Sequence, residues 1–305
     1  MAEKTILVVV DLHAEDEQPV LERAAWLAAR SGADIELFAC DYDPDIDAGY
    51  VATIWIPQPG VRDQLLLRHR QKLDALAEPL RKHGLQVRVD VAWDHPFDAA
   101  IVRKTLASEP WLVAKGTRHH NVLQRTLLSN TDWHLIRDCP TPLWLVKAHP
   151  LHDPPRLFAA VDPLHMHDKP AELDERIFDF AAALAGRAKG DLHVLHVAWY
   201  PIGLELPPDV TATIMRKHRD ALSAFAASHK VDAGRAHLVE GPMPEALCEA
   251  VVEYGADFVV MGAVSRRGLD RLFIGSTAER VLDRLPCDLV IVKPAGFAAR
   301  VHGGH

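Results

Sequence analysis

Residues 261–282, MGAVSRRGLDRLFIGSTAERVL, place small residues between an apolar run and a run of helical character. Gly262 ends the apolar run, and Gly275 precedes Ser276, with Glu279 three residues further on. A serine and a glutamate at this spacing form a capping box, which predicts that a helix begins here. Free N–H groups and the positive dipole end of a helix attract anions, so the stretch predicts a phosphate site.

The same stretch also fits an ordinary loop, in which the serine only caps the helix and the glycines only make turns. Neither the GxxxxGK[ST] nor the GxGxxG phosphate-binding motif is present in the sequence. Both interpretations stay open on spacing alone.

Other groups of reactive side chains give weaker predictions. His165, His167 and Asp168 are the densest set of metal-ligand types, but loop histidines with no further strong ligand are usually solvated. The sequence has no GxSxG, no HExxH and no paired carboxylates at a catalytic spacing. We therefore expect no metal and no efficient catalysis.

Two histidines of one predicted strand, His193 and His196, are three positions apart, and this odd offset places them on opposite faces of the sheet. One of them lines a ligand cleft, or both pack in the core. The four cysteines are scattered and have no CxxC partner, which predicts free buried thiols: Cys40, Cys139, Cys248 and Cys287.

The sequence repeats itself. Residues 111–147, WLVAKGTRHHNVLQRTLLSNTDWHLIRDCPTPLWLVK, align without a gap on residues 257–293, so that Gly116 falls on Gly262 and Pro140 on Pro286. Near the start of each copy, ILVVVD matches LFAAVD, which ends at Asp162. We predict two copies of one domain, residues 1–149 and 155–305, joined by a short stiff linker, AHPLHDPPR.

Each copy alternates short apolar runs with helical stretches, which predicts a parallel sheet covered on both faces. In the second copy the predicted strands are 157–161, 192–198, 235–239, 257–261 and 288–292, and the predicted helices are 171–189, 209–229, 244–254 and 277–285. The fold class is thus α/β, with two tandem doubly wound domains. Ligands of such sheets bind beyond the carboxyl ends of the strands, where the 261–282 stretch begins.

Composition limits the partners. The chain has 305 residues, a net charge of -8 and 25% charged residues, so we expect no nucleic-acid partner. No apolar stretch reaches the about 18 residues of a membrane span, and the apolar run before Asp11 is too short for a secretory signal. These features predict a cytoplasmic protein without a membrane span.

The 261–282 loop resembles the universal stress protein family, whose nucleotide-binding members carry G-x2-G-x9-G-[ST] between the fourth strand and the last helix. Gly262, Gly275 and Ser276 match this pattern, while Ser265 replaces its second glycine. The resemblance extends over both halves, and TDWHLIRDCPTPLWLVK and GSTAERVLDRLPCDLVIVK have the character of the tandem bacterial branch. It implies the Rossmann-like fold of the adenine nucleotide alpha hydrolases, twice, with five mostly parallel strands in each domain.

The resemblance also implies a site and a function. It implies ATP or a similar phosphate-bearing ligand, with or without Mg²⁺, held in the second domain by Asp162, Val197, Gly262, Ser265, Gly275, Ser276 and Thr277. The implied role is a non-catalytic stress response. The alternatives are a scaffold that binds no ATP, a protein with another ligand such as a lipid or a sugar nucleotide, and a slow ATPase.

The first copy departs from the pattern, because Ser129 and Asn130 replace the Gly-Ser pair and Asp132 lies in the first turn of the helix. A carboxylate there repels an incoming phosphate, so we expect the first domain to have lost the nucleotide site. In single-domain relatives the last strands of two subunits pair. The family therefore implies an internal pseudo-dimer of PLWLVKA with DLVIVKP, and a homodimer of the whole chain stays open.

Overall fold

The computed structural model describes residues 5–14, 18–47, 50–51, 54–55, 60–117, 128–165, 171–198, 207–263 and 284–299. They belong to two structural units. The first contains the described residues of 5–116, 130–146 and 298–299, and the second contains those of 117–129 and 147–297.

The first unit is built on a parallel sheet. Its strands and helices are β1 (Ile6–Val9), α1 (Pro19–Ser31), β2 (Ile35–Asp41), α2 (Pro44–Asp47), β3 (Tyr50–Val51), β4 (Ile54–Trp55), α3 (Val61–Lys82), β5 (Val87–Trp93), α4 (Phe97–Ser108), β6 (Leu112–Gly116), α5 (Asn130–Asp138) and β7 (Leu143–Val146). Five strands pair in parallel in the order β5-β2-β1-β6-β7, and β3 and β4 form a separate antiparallel pair.

The second unit repeats this plan. Its elements are β8 (Arg156–Ala160), α6 (Ala171–Ala188), β9 (Asp191–Ala198), α7 (Pro208–Ser228), β10 (Ala236–Glu240), α8 (Met243–Glu253), β11 (Phe258–Gly262) and β12 (Asp288–Val292). The parallel order is β10-β9-β8-β11-β12, with the first strand of the unit in the middle. The predicted α/β class and the tandem doubly wound sheets are confirmed.

The central strands form because their sequences are apolar on both faces. Every residue of β1 and β12 is buried, as a parallel sheet covered by helices on both sides requires. The predicted strands and the helices at 171–189, 209–229 and 244–254 agree with the structure to within one residue. The last predicted helix, 277–285, lies mostly outside the described residues.

The linker is anchored to the second unit by two buried carboxylates. Asp257 accepts the backbone N–H groups of His152 and Arg156 at 3.0 and 2.7 Å, and Asp288 accepts that of Lys147 at 2.8 Å. These aspartates directly precede or begin β11 and β12. The proline-rich segment is therefore held by the amino ends of the strands and does not behave as a free tether.

None of the four cysteines forms a disulfide, and three of them are buried as predicted. Cys40, Cys139 and Cys287 are buried, while Cys248 is half-buried. Burial raises the pKa of the Cys40 thiol to about 12, with the Asp94 and Asp41 carboxylates adding to the shift. A thiol with a raised pKa is a poor nucleophile, so Cys40 serves packing.

Gly262 has a packing role that spacing did not indicate. A Cβ added to it would lie 2.6 Å from Leu173 Cδ2 and 3.1 Å from Ile177 Cδ1, both on α6. Its counterpart Gly116 is less crowded, since a Cβ there would lie 3.8 Å from the nearest Val20 atoms. Neither glycine has a positive φ. Position 262 therefore favours a residue without a side chain, because helix α6 packs directly on the end of β11.

We expect Gly262→Ala to lower the free energy of unfolding by about 1 to 3 kcal/mol, because the methyl group overpacks the contact with α6. The matched control Gly116→Ala should change it by less than about 0.5 kcal/mol. Urea denaturation of both variants measures the difference. Equal effects of the two substitutions would contradict this account of Gly262.

Candidate functional site

The carboxyl ends of the central strands of the second unit hold the first candidate residues. Asp162 follows β8 by two residues, Val197 is the penultimate residue of β9, and Gly262 ends β11. Since β8 lies between β9 and β11 and all three run parallel, these residues meet at one edge of the sheet. Val197 is half-buried and opposite Val239 of β10. Ser265, Gly275, Ser276 and Thr277 lie outside the described residues.

Helix α6 positions the loop that carries Asp162. The backbone N–H of Asp162 donates to Asp174 Oδ1 at 2.9 Å, and the Asp174 side chain is only 1% exposed. His165 Nδ1 lies 3.5 Å from Asp174 Oδ2. A buried carboxylate that accepts a backbone N–H fixes the chain leaving β8, so the orientation of Asp162 is set by the fold.

The Asp162 carboxylate is only partly used by the protein. Its Oδ1 atom is buried, and among the described residues no donor forms a hydrogen bond with it. A buried carboxylate oxygen without a donor costs about 1 to 3 kcal/mol or more, and such atoms are rare in native structures. This atom is an acceptor placed for a hydrogen-bond donor that the described residues do not supply.

Two buried histidines lie in contact with each other behind the strand end that leads to Asp162. His196 of β9 and His218 of α7 are 2% and 3% exposed. His196 Nδ1 lies 3.0 Å from the carbonyl oxygen of Val161, and its Nε2 lies 2.7 Å from His218 Nδ1. The other histidine of the strand, His193, stacks on Phe158 and lies 3.0 Å from His237. The odd spacing thus separates His193 from His196, as expected.

Burial lowers the pKa of both histidines of this pair below the usual value. For His196, the hydrogen bond to the Val161 carbonyl and the charge of Asp162 oppose the effect of burial. For His218, the charge of Asp162 opposes it. Both rings are therefore neutral at neutral pH, beside a carboxylate.

The first unit fills the equivalent places with its own groups. Asp11, the counterpart of Asp162, accepts the backbone N–H of His13 on Oδ1 at 2.9 Å. Lys115, which precedes Gly116, donates from Nζ to Asp132 Oδ1 at 2.7 Å and to the Gly116 carbonyl at 3.1 Å. The Asp132 side chain is fully buried.

This ion pair revises the role expected for Asp132. We expected a carboxylate that repels phosphate, but Asp132 is neutralised by Lys115. The positive end of α5 is thus occupied by a side chain of the protein, and an anion would have to displace it. The counterparts in the second copy are Met261 and Ala278, which cannot form such a pair.

Sequence reasoning missed His218. A signal was present, because RHRQKL at 68–73 aligns with KHRDAL at 217–222 and brings His69 onto His218. The alignment of the two helices is fixed by their buried residues, since Leu73 and Ala77 correspond to Leu222 and Ala226.

His165 contacts Asp174, whereas His167 and Asp168 lie outside the described residues. Within the described ranges, no three potential ligands come together to hold a metal.

No helix in the described part of the chain has both the length and the apolar character needed to cross a membrane.

We expect Lys115→Met to destabilise the first unit by about 3 to 5 kcal/mol, because it leaves the buried Asp132 carboxylate without its lysine partner. The double variant Lys115→Met with Asp132→Ala, which copies the residue types of the second domain, should recover most of the loss. Urea unfolding of the single and double variants measures the coupling. A double variant as unstable as the single one would show that the ion pair is not what Lys115 contributes.

Comparisons with known proteins agree with this architecture. The model of the universal stress protein family matches residues 3–147 and again residues 167–293. The chain is 30% identical to universal stress protein E of Salmonella typhi, over 98% of this chain and 96% of that protein. It is 29% identical to universal stress protein E of Escherichia coli K12, with the same coverage.

Solved structures show the same likeness over the full length. A putative universal stress protein of Pseudomonas aeruginosa is 28% identical, with a TM-score of 0.73, and the match covers 96% of this chain and 94% of that one. A universal stress protein of Archaeoglobus fulgidus shares the fold at 19% identity, with a TM-score of 0.67, over 96% of this chain and 99% of that one. With two matched domains and relatives that align end to end, the chain belongs to the universal stress protein family, and its tandem organisation is like that of universal stress protein E.

Proposed function

We propose that this protein is a non-catalytic stress-response protein that binds ATP or a similar phosphate-bearing ligand in its second domain. The observation that carries the proposal is the buried Oδ1 atom of Asp162, which has no donor among the described residues and lies at the ligand-binding edge of a doubly wound sheet. A ligand hydroxyl or amino group would supply that donor.

The contrast between the two copies supports the choice of domain. In the first unit the carboxylate of Asp11 is engaged by a backbone N–H, and the start of α5 holds the Lys115–Asp132 pair. In the second unit the acceptor is open, and the sequence retains Gly275 and Ser276 where an anion would meet a helix N-terminus. A phosphate-bearing ligand has a donor group for the Asp162 carboxylate and phosphates for the segment at Gly275 and Ser276.

Each residue has a simple part in binding. Asp162 accepts a hydrogen bond from the non-phosphate part of the ligand, and Asp174 holds the Asp162 loop in place. Val197 forms the wall beside it. Ser265, Gly275, Ser276 and Thr277 offer N–H and hydroxyl donors to the phosphates, with Mg²⁺ as an additional counter-charge. No lysine stands at a P-loop position to stabilise a phosphoryl-transfer transition state, so turnover is not part of the proposal.

We expect Ser276→Asp to weaken ATP binding by at least about tenfold, because a carboxylate at the helix N-terminus repels the phosphates. Gly275→Val should act in the same direction by blocking the backbone approach. The first-domain substitution Asn130→Asp is the matched control and should leave the affinity unchanged. Calorimetric titration of ATP, with and without Mg²⁺, measures all four proteins. Unchanged affinity in Ser276→Asp would refute this placement of the phosphates.

The other candidate functions are distinguished by two further measurements. Ser265 in place of the family glycine favours a different ligand or none, and native mass spectrometry of the protein as purified would detect a retained lipid or sugar nucleotide. A slow ATPase would release phosphate in an Asp162-dependent way. Phosphate release that is lost in Asp162→Ala would replace the non-catalytic proposal with the enzymatic one.

We also propose that the last strands of the two domains pair within one chain, as the last strands of single-domain relatives do between subunits. Chemical crosslinks between the neighbourhoods of Trp144 and Ile291 should then form inside single chains. In a mixture of isotopically light and heavy protein, such crosslinks found only between chains would contradict the pairing.

The absence of disulfides among the four cysteines fits a reducing compartment, and we propose that the protein is cytoplasmic.

A further inference from the structure

The His196–His218 pair is a titratable element packed against the proposed site. The two rings stack with centroids 5.0 Å apart and are joined by a hydrogen bond of 2.7 Å. Both side chains are almost fully buried, and His196 also contacts the Val161 carbonyl through Nδ1. Val161 directly precedes Asp162, so the histidine pair contacts the residue next to the Asp162 carboxylate.

The hydrogen-bond geometry limits how many protons the pair can hold. His196 Nδ1 must donate to the Val161 carbonyl, since a carbonyl oxygen only accepts. When both rings are neutral, His218 Nδ1 donates to His196 Nε2. A second hydrogen does not fit between two nitrogens 2.7 Å apart, so the pair takes up one additional proton and no more.

Two carboxylates on neighbouring elements act on this pair. Asp162 lies in the loop after β8 and acts on both rings, and Asp174 of α6 acts on His196. His165, from the same loop, lies with its Nδ1 3.5 Å from Asp174 Oδ2. A ligand whose non-phosphate part contacts Asp162 brings its phosphates into the same site, and a proton on the histidine pair would offset the added negative charge.

The first unit keeps one half of this arrangement. His69 occupies in α3 the place of His218 in α7, and its Nδ1 lies 3.5 Å from Asp41 Oδ2. The strand beside it has no histidine at the matching position, because Ala39 stands at the position of His196 in the paired strands. The complete pair thus occurs in the unit whose carboxylate is open to a ligand, and the incomplete one in the unit whose site is filled.

We propose that ligand binding in the second domain is coupled to the uptake of one proton by the His196–His218 pair, so that a phosphate-bearing ligand binds more tightly as the pH falls. This coupling rests on the proposed function. It makes the second domain a binder whose occupancy rises in an acidified cytoplasm.

The direction of the effect follows from linkage. A negatively charged ligand favours the protonated pair, so the bound state holds the proton at a higher pH than the free state does. Affinity is then constant well above this range, rises as the pH falls through it, and levels off below. A shift of one unit between the free and bound states corresponds to about a tenfold change in affinity.

The experiment is calorimetric titration with ATP in two buffers of different ionisation enthalpy, at pH about 8 and about 5.5. In the wild type we expect affinity to rise about tenfold at the lower pH relative to the double variant His196→Gln with His218→Gln. The buffer dependence should give close to one proton taken up by the wild type. The terminal phosphate also titrates near pH 6, but this contribution is common to both proteins.

A matched control comes from the opposite face of the same sheet. His193 and His237 also form a pair, at 3.0 Å, away from Asp162. The double variant His193→Gln with His237→Gln should keep the full pH dependence of the wild type. The single variant His218→Gln retains a hydrogen-bond donor toward His196 and serves if the double variant fails to fold, and it too should reduce the proton uptake.

The outcomes separate the two proposals. ATP binding with the same affinity and no proton uptake at both pH values in the wild type would overturn the coupling and leave the proposed function intact. Proton uptake that survives in both His218 variants would also overturn it, since another group would then be responsible. Absence of ATP binding at either pH would overturn the proposed function itself, and the coupling with it.

Discussion

Helix α6 is the element on which the candidate site depends. Leu173 and Ile177, one helical turn apart, pack on the end of β11 so closely that only a glycine fits at position 262. Asp174, on the same turn, holds the backbone of Asp162 at the end of β8. One helix therefore fixes both strand ends between which a ligand would lie, and its position cannot shift without moving both.

The two copies share this frame and differ in how they satisfy their polar groups. In the first unit the buried Asp132 carboxylate is paired with Lys115, and the more exposed Asp11 carboxylate accepts the backbone N–H of His13. In the second unit the Asp162 oxygen finds no donor among the described residues. The polar groups of the first copy are thus satisfied by other groups of the same unit, whereas the second copy keeps a buried carboxylate oxygen that a ligand donor would satisfy.

The histidines show how a small change in a duplicated frame alters chemistry. His69 and His218 occupy the same helical place, and His218 is hydrogen-bonded to a strand histidine, His196, at the position where the first copy has Ala39. Two neutral rings joined by one hydrogen bond form a compact proton acceptor inside the core. A proton on this pair would interact strongly with the Asp162 carboxylate, because both rings are almost fully buried.

The amino-acid sequence by itself determined the family, the duplication, the α/β class and almost every strand of the second copy, because these rest on local periodicity and on residues repeated at a fixed spacing. It also indicated Gly262 at the end of a strand, and the family resemblance implied Asp162. Only the tertiary structure decided that Gly262 serves the packing of α6, that Lys115 neutralises Asp132, and that His218 reaches His196. Each of these joins residues on different elements, and the distance between two side chains on separate elements is set by the packing of the whole domain and not by any pattern along the chain.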